Sequence, residues 1–294
     1  MTGIRLIVRL TFLGLMVALA DVALTPWSMR PELQSLVTRA PATTSFMRQA
    51  IAEGRPVRHR TWVPLSAVSP MAACAVVLAE DEEFFEKGTI SWRAQHMLMQ
   101  RMLRGDFSRG GSGISQQLAR NLYLTADRTP RRKAREYVLA HELSQTLDKR
   151  RQLELYLNVA EWGRGIWGIE AAAQHYFRVP ASALTASQSV ILASLLPAPR
   201  RELQYAGGPL AARRQESLVR KLWAARLLSD PELLQTVDRI REWRHQVRQR
   251  QSASSADTNV AGLMGQEAPS FQLTPSNPGA LPLARLCDPR RRGF

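Results

Sequence analysis

Apolar residues recur at helical spacing through most of the middle of the chain, and the elements follow from that spacing. From Met71 to Phe85, Ala73, Val76 and Val77 fit a helix with one buried face and an acidic end at Glu80-Asp81. Trp92, Met97, Leu98, Met102 and Leu103 predict a second amphipathic helix over 92–104, its methionines suited to filling a core. Ser115 to Tyr123 continues as helix after a glycine-rich loop. Thr129-Pro130 starts the next helix, with proline in the first turn. That helix carries Leu139, Leu143 and Leu147 at four-residue spacing, and the one after it holds Leu153, Leu155, Tyr156 and Leu157. Gly163, Gly165 and Gly168 mark a tight connection before Ala171-Ala172-Ala173. Thr185-x-x-Gln188 reads as a capping box ahead of Val190-Ile191-Leu192, a run too short for a membrane span that ends at Pro197. Residues 212–245 read as basic surface helices, and the Ser-, Gly-, Pro- and Gln-rich stretch after Gln249 as a disordered tail. Helical patterns outnumber strand patterns, so the fold class is mainly α.

The N-terminus allows two readings. Arg5 and Arg9 precede the apolar stretch Leu10–Ala20, which resumes after Asp21 and reaches Trp27. A signal peptide would use Ala18-x-Ala20 as its cleavage site. A retained anchor would treat residues 4–27 as one tilted span with Trp27 at the interface, at the cost of holding Asp21. In both readings the remainder is exported. Residues 28–70 carry scattered prolines, and Trp62-Val63-Pro64 predicts extended chain before a turn.

Composition adds one constraint. At 294 residues and 45% hydrophobic content, one substantial domain or two modest ones can be built. Forty basic residues against 25 acidic ones leave a net charge of +15. That excess favours an anionic partner: nucleic acid, an anionic membrane surface or a phosphorylated substrate. All but four of the forty are arginine, whose planar fork suits phosphate. Cys74 and Cys287 lack metal-ligand spacing, and their pairing is left open by the sequence. The five histidines show no ligand spacing either.

Three clusters carry candidate chemistry. Glu80 ends the run Ala75-Val76-Val77-Leu78-Ala79, whose apolar side chains would desolvate a general base. Alone, Glu80-Asp81 equally fits a solvated helix end. Gly110-Gly111-Ser112-Gly113 lacks the lysine of a nucleotide-binding P-loop, yet such a loop before a helix can turn backbone N–H groups toward an anion. Arg132, Lys133 and Glu136 can share one helix face, where an ordinary surface ion-pair cluster is the competing reading.

Taken in order, these clusters resemble the glycosyltransferase module that polymerises lipid II into peptidoglycan. The likeness is to its stand-alone form, the monofunctional biosynthetic peptidoglycan transglycosylase, and spans residues 60–200. Glu80, Asp81 and Phe84 match the family's Glu-Asp-x-x-Phe-x-x-His-x-Gly. Lys87 stands at the histidine, one residue is missing before Gly88, and Ser91 stands near the usual aspartate. Ser112, Ile114, Gln116, Gln117 and Asn121 match Gly-x-Ser-Thr-Ile-x-Gln-Gln-x-x-Lys-Asn, with Gly113 for threonine and Arg120 for lysine. Arg132-Lys133-x-x-Glu136 is intact. Lys149-x-x-Gln152-Leu153-x-x-Tyr156-Leu157-Asn158 departs only at Gln152, and Arg164-Gly165-x-x-Gly168 through Tyr176-Phe177 matches fully.

The resemblance implies a lysozyme-like, mainly α glycosyltransferase domain at 71–245. It would follow a cytoplasmic start and transmembrane anchor (1–27) and a connector (28–70), and precede a disordered tail (246–294). It implies two catalytic carboxylates. Glu80 takes the proton from the acceptor's 4-hydroxyl, and Glu136 positions the pyrophosphate, directly or through Mg²⁺ or Mn²⁺. Asp81, Phe84, Ser112, Gln116, Gln117, Arg120, Asn121, Arg132, Lys133 and Arg164 become the substrate-binding set; Tyr156 and Asn158 are expected to be structural. No organic cofactor is expected. The implied partners are lipid II, the lipid-linked glycan strand, the membrane and other cell-wall synthesis proteins, and not nucleic acid. The implied location is the inner membrane, single-pass, with the catalytic domain in the periplasm. Without Ser-x-x-Lys or Lys-Thr-Gly, transpeptidase chemistry is not expected. Two rivals stay open: a muramidase-like glycan-cleaving enzyme, and a degenerate relative that binds lipid II or cell-wall machinery without turnover.

Overall fold

The computed structural model describes residues 32–55, 57, 59–86, 112–127, 129–201 and 207–254, with positions 12–14, 16, 20, 21, 24, 28, 100 and 287. The expected 92–104 helix, Arg5, Arg9, Trp27, Lys87, Gly88, Ser91, Gly110 and Gly111, and most of the 1–27 and 246–294 segments, lie outside the described residues. The described chain is mainly helical and divides into two compact units, residues 1–49 with 88–152 and residues 50–87 with 153–294. Among the described residues no helix is long and apolar enough to cross a membrane.

The first unit is built on α3 (Ile114–Tyr123) packed against α4 (Pro130–Thr146). Ile114, Leu118, Ala119 and Leu122 are buried on α3, as are Leu139, Ala140 and Leu143 on α4. Helix α4 begins as expected: Pro130 occupies the first turn, and Thr129 Oγ1 accepts from the Arg132 backbone N–H at 3.2 Å. Helix α1 (Ser45–Ala52) is capped by buried Thr44, which accepts from the Met47 N–H at 3.1 Å. Gln49 then binds the chain after α3 through the Leu124 carbonyl (3.0 Å) and the Ala126 N–H (3.1 Å). Gln152, at the start of α5 (Lys149–Val159), is fully buried where the family carries an apolar residue. Its polarity is satisfied: it accepts from Ser115 Oγ at 2.7 Å and donates to the Leu147 carbonyl at 2.8 Å.

The second unit centres on α2 (Pro70–Glu80) and α7 (Ala186–Leu195), which pack on each other and on α8 (Pro209–Ala224). The expectation of one buried face on α2 is corrected. Every residue from Ala72 to Leu78 is buried, because a helix apolar all round has no face to give to water. Its predicted extent to Phe85 is corrected too. The helix stops at Glu80, Asp81 leaves helical geometry (φ −160, ψ 76), and residues 82–86 form turns. The capping box on α7 forms in full, with Thr185 and Gln188 satisfying each other's backbone N–H groups.

The glycines after α5 serve a three-stranded sheet that the helical pattern did not announce. Strands β2 (Glu161–Gly163) and β3 (Ile166–Trp167) pair antiparallel around Gly165, and β1 (His59–Arg60) joins β3 in parallel. Gly168 leads into α6 (Ile169–Phe177) with φ +89, and a Cβ there would lie 3.1 Å from the Asn158 carbonyl oxygen. Both features require glycine. Asn158 ties down the extended Trp62-Val63-Pro64 segment, accepting from the Val63 N–H at 3.0 Å and donating to the Val63 carbonyl at 2.8 Å. Tyr156 is buried, so both residues have the structural role expected of them.

The C-terminal part departs from expectation. Helix α9 runs from Asp230 to Ser254, beyond the expected domain edge at 245. The α8 stretch, read as surface, buries Gln215, Leu218, Val219 and Leu222. Cys287 is disulfide-bonded to Cys74 in the middle of α2, and both are buried. A cross-link across a sequence separation of 213 removes much freedom from the unfolded chain. Cys287→Ala is therefore expected to lower the free energy of unfolding by about 2–5 kcal/mol. Denaturant titration with and without reductant checks it: reductant should destabilise the native protein and leave the variant unchanged.

Candidate active site

In the second unit, the end of α2 is a short carboxylate site closed by cations from α8. Four carbonyls at a helix C-terminus lack intrahelical partners and carry partial negative charge, so cationic donors suit them. Arg214 donates to the Ala79 carbonyl at 3.3 Å and also to Glu80 Oε1. Lys221, two turns along α8, donates to the Leu78 carbonyl at 3.0 Å and pairs with Glu82 at 3.0 Å. The Glu80 side chain is only 12% exposed, so its pairing with Arg214 is largely shielded from water. Asp81 and Phe84 build the turn that follows. The Asp81 N–H returns to the Val77 carbonyl at 2.8 Å, the Phe84 N–H donates to the Asp81 carbonyl at 2.9 Å, and the Phe84 ring is buried. Arg164 is exposed in the turn between β2 and β3. Arg214 and Lys221 were missed by sequence reasoning, because cations on an amphipathic helix read as solvated surface.

In the first unit, the N-terminal part of α4 and the residues leading into α3 form an anion-seeking cluster. Glu136 is 1% exposed. Arg132, one turn before it, binds Oε2, and Lys133 binds Oε1. Lys133 Nζ also donates to Ser112 Oγ at 2.6 Å and to Gln116 Oε1 at 3.4 Å, and Ser112 Oγ in turn donates to Glu136 at 3.3 Å. Gln117 Nε2 fixes the Ser112 carbonyl at 3.1 Å. Gly113 caps α3 with no side-chain hydrogen bond. Arg120 lies 5.7 Å from the centre of the Phe46 ring, and Asn121 is buried. Ser112, Gln116, Gln117, Arg132, Lys133 and Glu136 are thus brought together, with Lys133 at the hub.

Burial lowers the pKa of Lys133 below its ordinary 10.5, outweighing the opposing pull of Glu136. The cluster is a pair of cations preset by a buried carboxylate, with the polar side chains of Ser112 and Gln116 beside them. All three Lys133 donors are engaged within the cluster, so an incoming anion would take the place of Gln116, the longest of the three contacts at 3.4 Å. The cluster does not fit a divalent cation bound directly to Glu136, since both carboxylate oxygens already hold cations. Among the described residues no three metal-ligating side chains gather, and no reaction step is assigned to a metal.

A mainly helical protein with one shielded carboxylate beside an arginine, and another holding two cations, has the parts of a group-transfer enzyme with an anionic leaving group. A family model described as "Transglycosylase" matches residues 47–222, and the chain belongs to that family. It is similar to proteins named "Biosynthetic peptidoglycan transglycosylase". The one from Laribacter hongkongensis is 46% identical over 167 residues, covering 54% of this chain and 73% of that protein. The one from Paraburkholderia xenovorans is 40% identical over 194 residues, covering 64% of this chain and 80% of the relative. The one from Azoarcus is 43% identical over 194 residues, with 64% and 84% covered. The family match contains Glu80, Glu136, Arg214 and Lys221 and ends at residue 222, before α9 and Cys287.

Two outcomes follow from these sites. Arg214→Ala should cut turnover by up to about a hundredfold, the scale of a small misplacement of the carboxylate it holds. Arg214→Lys should recover part of it, as steady-state rates on both variants will show. The alkaline limb of the pH–rate profile should fall below 10.5, where burial makes Lys133 give up its proton early, and Lys133→Arg should move it upward. The sign for stability is opposite. Just below pH 10.5 the unfolded chain keeps the Lys133 proton that the native state has lost, so this lysine's contribution rises with pH.

Proposed function

We propose that the protein is a peptidoglycan glycosyltransferase that polymerises lipid II. The observation that carries this reading is the Lys133–Glu136–Arg132 cluster inside a transglycosylase-family chain, which is suited to a pyrophosphate leaving group. Glu80 accepts the proton from the acceptor's 4-hydroxyl as that oxygen attacks the donor's anomeric carbon. The new β-1,4 C–O bond forms while the bond from the anomeric carbon to the pyrophosphate oxygen breaks, with inversion. The electron pair leaves on undecaprenyl pyrophosphate, whose charge Lys133 and Arg132 stabilise. Glu136 holds those two cations in place. Arg214 orients Glu80 through the bond between them, and Ser112, Gln116 and Gln117 shape the phosphate-facing surface.

In this reading the N-terminal stretch 1–27 is a retained anchor. It keeps the catalytic domain on the periplasmic face of the inner membrane, where the lipid-linked donor and acceptor are held. The exposed apolar side chains Phe12, Leu13, Met16 and Leu24 support it, since a span facing lipid has such a surface.

Incubation of the purified full chain with labelled lipid II should give polymer that a muramidase digests. Glu80→Gln keeps the size of the side chain and removes its basicity, so it should retain less than about a hundredth of the rate while its circular dichroism is unchanged. A Glu80→Gln variant with near-normal rate would overturn the assignment of the base. Failure of the wild type to make polymer would overturn the function.

A further inference from the structure

Asp21 is the one acidic residue inside the N-terminal apolar stretch, and read from the sequence alone it is an obstacle to a span. In the structure it is a contact. Its Oδ2 receives Nε and a terminal nitrogen of Arg131, at 3.0 and 2.9 Å, and its Oδ1 receives a terminal nitrogen of Arg135. Arg131 and Arg135 are four residues apart on α4 and so share a face. Arg132 and Glu136 form the same spacing one residue further on, and one residue rotates a helix by ~100°. Helix α4 is therefore held on two adjacent faces. One is tied inward through Glu136 to the phosphate-seeking cluster, and the other outward through Asp21 to the N-terminal segment.

The described positions around Asp21 are helical, and Phe12, Leu13, Met16 and Leu24 among them are exposed. A lone aspartate in such a stretch is costly near lipid, and a pair of arginines is the partner that offsets the cost. In bulk water an exposed pair of this kind contributes little, whereas at a bilayer surface of low dielectric it holds firmly.

We propose that Asp21 is a positioning residue. By binding Arg131 and Arg135 it locks α4 to the N-terminal anchor and so fixes Lys133 and Arg132 at the height of the lipid pyrophosphate. This rests on the membrane-anchored glycosyltransferase reading above. It makes the anchor part of the catalytic geometry in addition to a tether.

The test uses the full chain in phosphatidylethanolamine–phosphatidylglycerol vesicles containing lipid II, and in detergent micelles. Asp21→Asn should lower kcat/KM in vesicles about tenfold, within the range expected for a small misplacement of binding groups, with a much smaller change in detergent. The triple charge swap Asp21→Arg with Arg131→Glu and Arg135→Glu should restore most of the loss. A second readout needs no turnover. His141 is exposed on α4, and His141→Cys can carry a fluorophore whose quenching by headgroup nitroxide lipids reports the height of the helix. Asp21→Asn should change that quenching, and the swap should return it. Unchanged quenching in Asp21→Asn, or a swap that restores neither readout, overturns the proposal. A wild type that makes no polymer would remove the glycosyltransferase reading, and quenching would still decide the lock.

Discussion

A carboxylate cannot be buried alone, and the first unit is arranged around that constraint. Glu136 is almost fully withdrawn from water, and an unpaired charge there would cost several kcal/mol. Its position on α4 solves the problem locally, because residues three and four before it on the same face are Lys133 and Arg132. The solution constrains the neighbours in turn. Lys133 reaches Ser112 and Gln116, so the entry to α3 is held by the same charge that holds α4. Lys133 and Arg132 thus owe their geometry to a carboxylate that is itself almost fully withdrawn from solvent.

The second unit meets the complementary problem. Helix α2 is buried along almost its whole length, yet it must end somewhere, and its terminal carbonyls need donors. Arg214 and Lys221 supply them from α8. Because Glu80 is the last helical residue, Arg214 satisfies the backbone and holds the Glu80 carboxylate at once, while Lys221 turns to Glu82. Packing, capping and the placement of the Glu80 carboxylate are one arrangement here, and a change in α8 acts on all three.

Much of this was legible in the sequence wherever the cause is local. Thr129-Pro130 and Thr185-x-x-Gln188 announced helix starts because a cap is decided within four residues. Arg132, Lys133 and Glu136 were readable as one face for the same reason. What escaped depends on partners distant in sequence. Nothing near Arg214 shows that it lies under Glu80, 134 residues earlier. The strands around Gly165 are two or three residues long, too short to alternate. The all-apolar α2 read as a one-faced helix because a pattern lists residues, not the number of sides they are covered from. Cys74 and Cys287 could be counted, yet only the folded chain brings them together.

The cystine also sets an order of events. Every element from α3 to α9 lies between Cys74 and Cys287, so the ring cannot close until the ribosome has made all of them and the last cysteine has reached an oxidising compartment. Until then α2, with Glu80 at its tip, lacks the covalent hold on its midpoint. Latching of this protein is thereby coupled to a supply of oxidising equivalents, and without them full-length chains would stay unlatched.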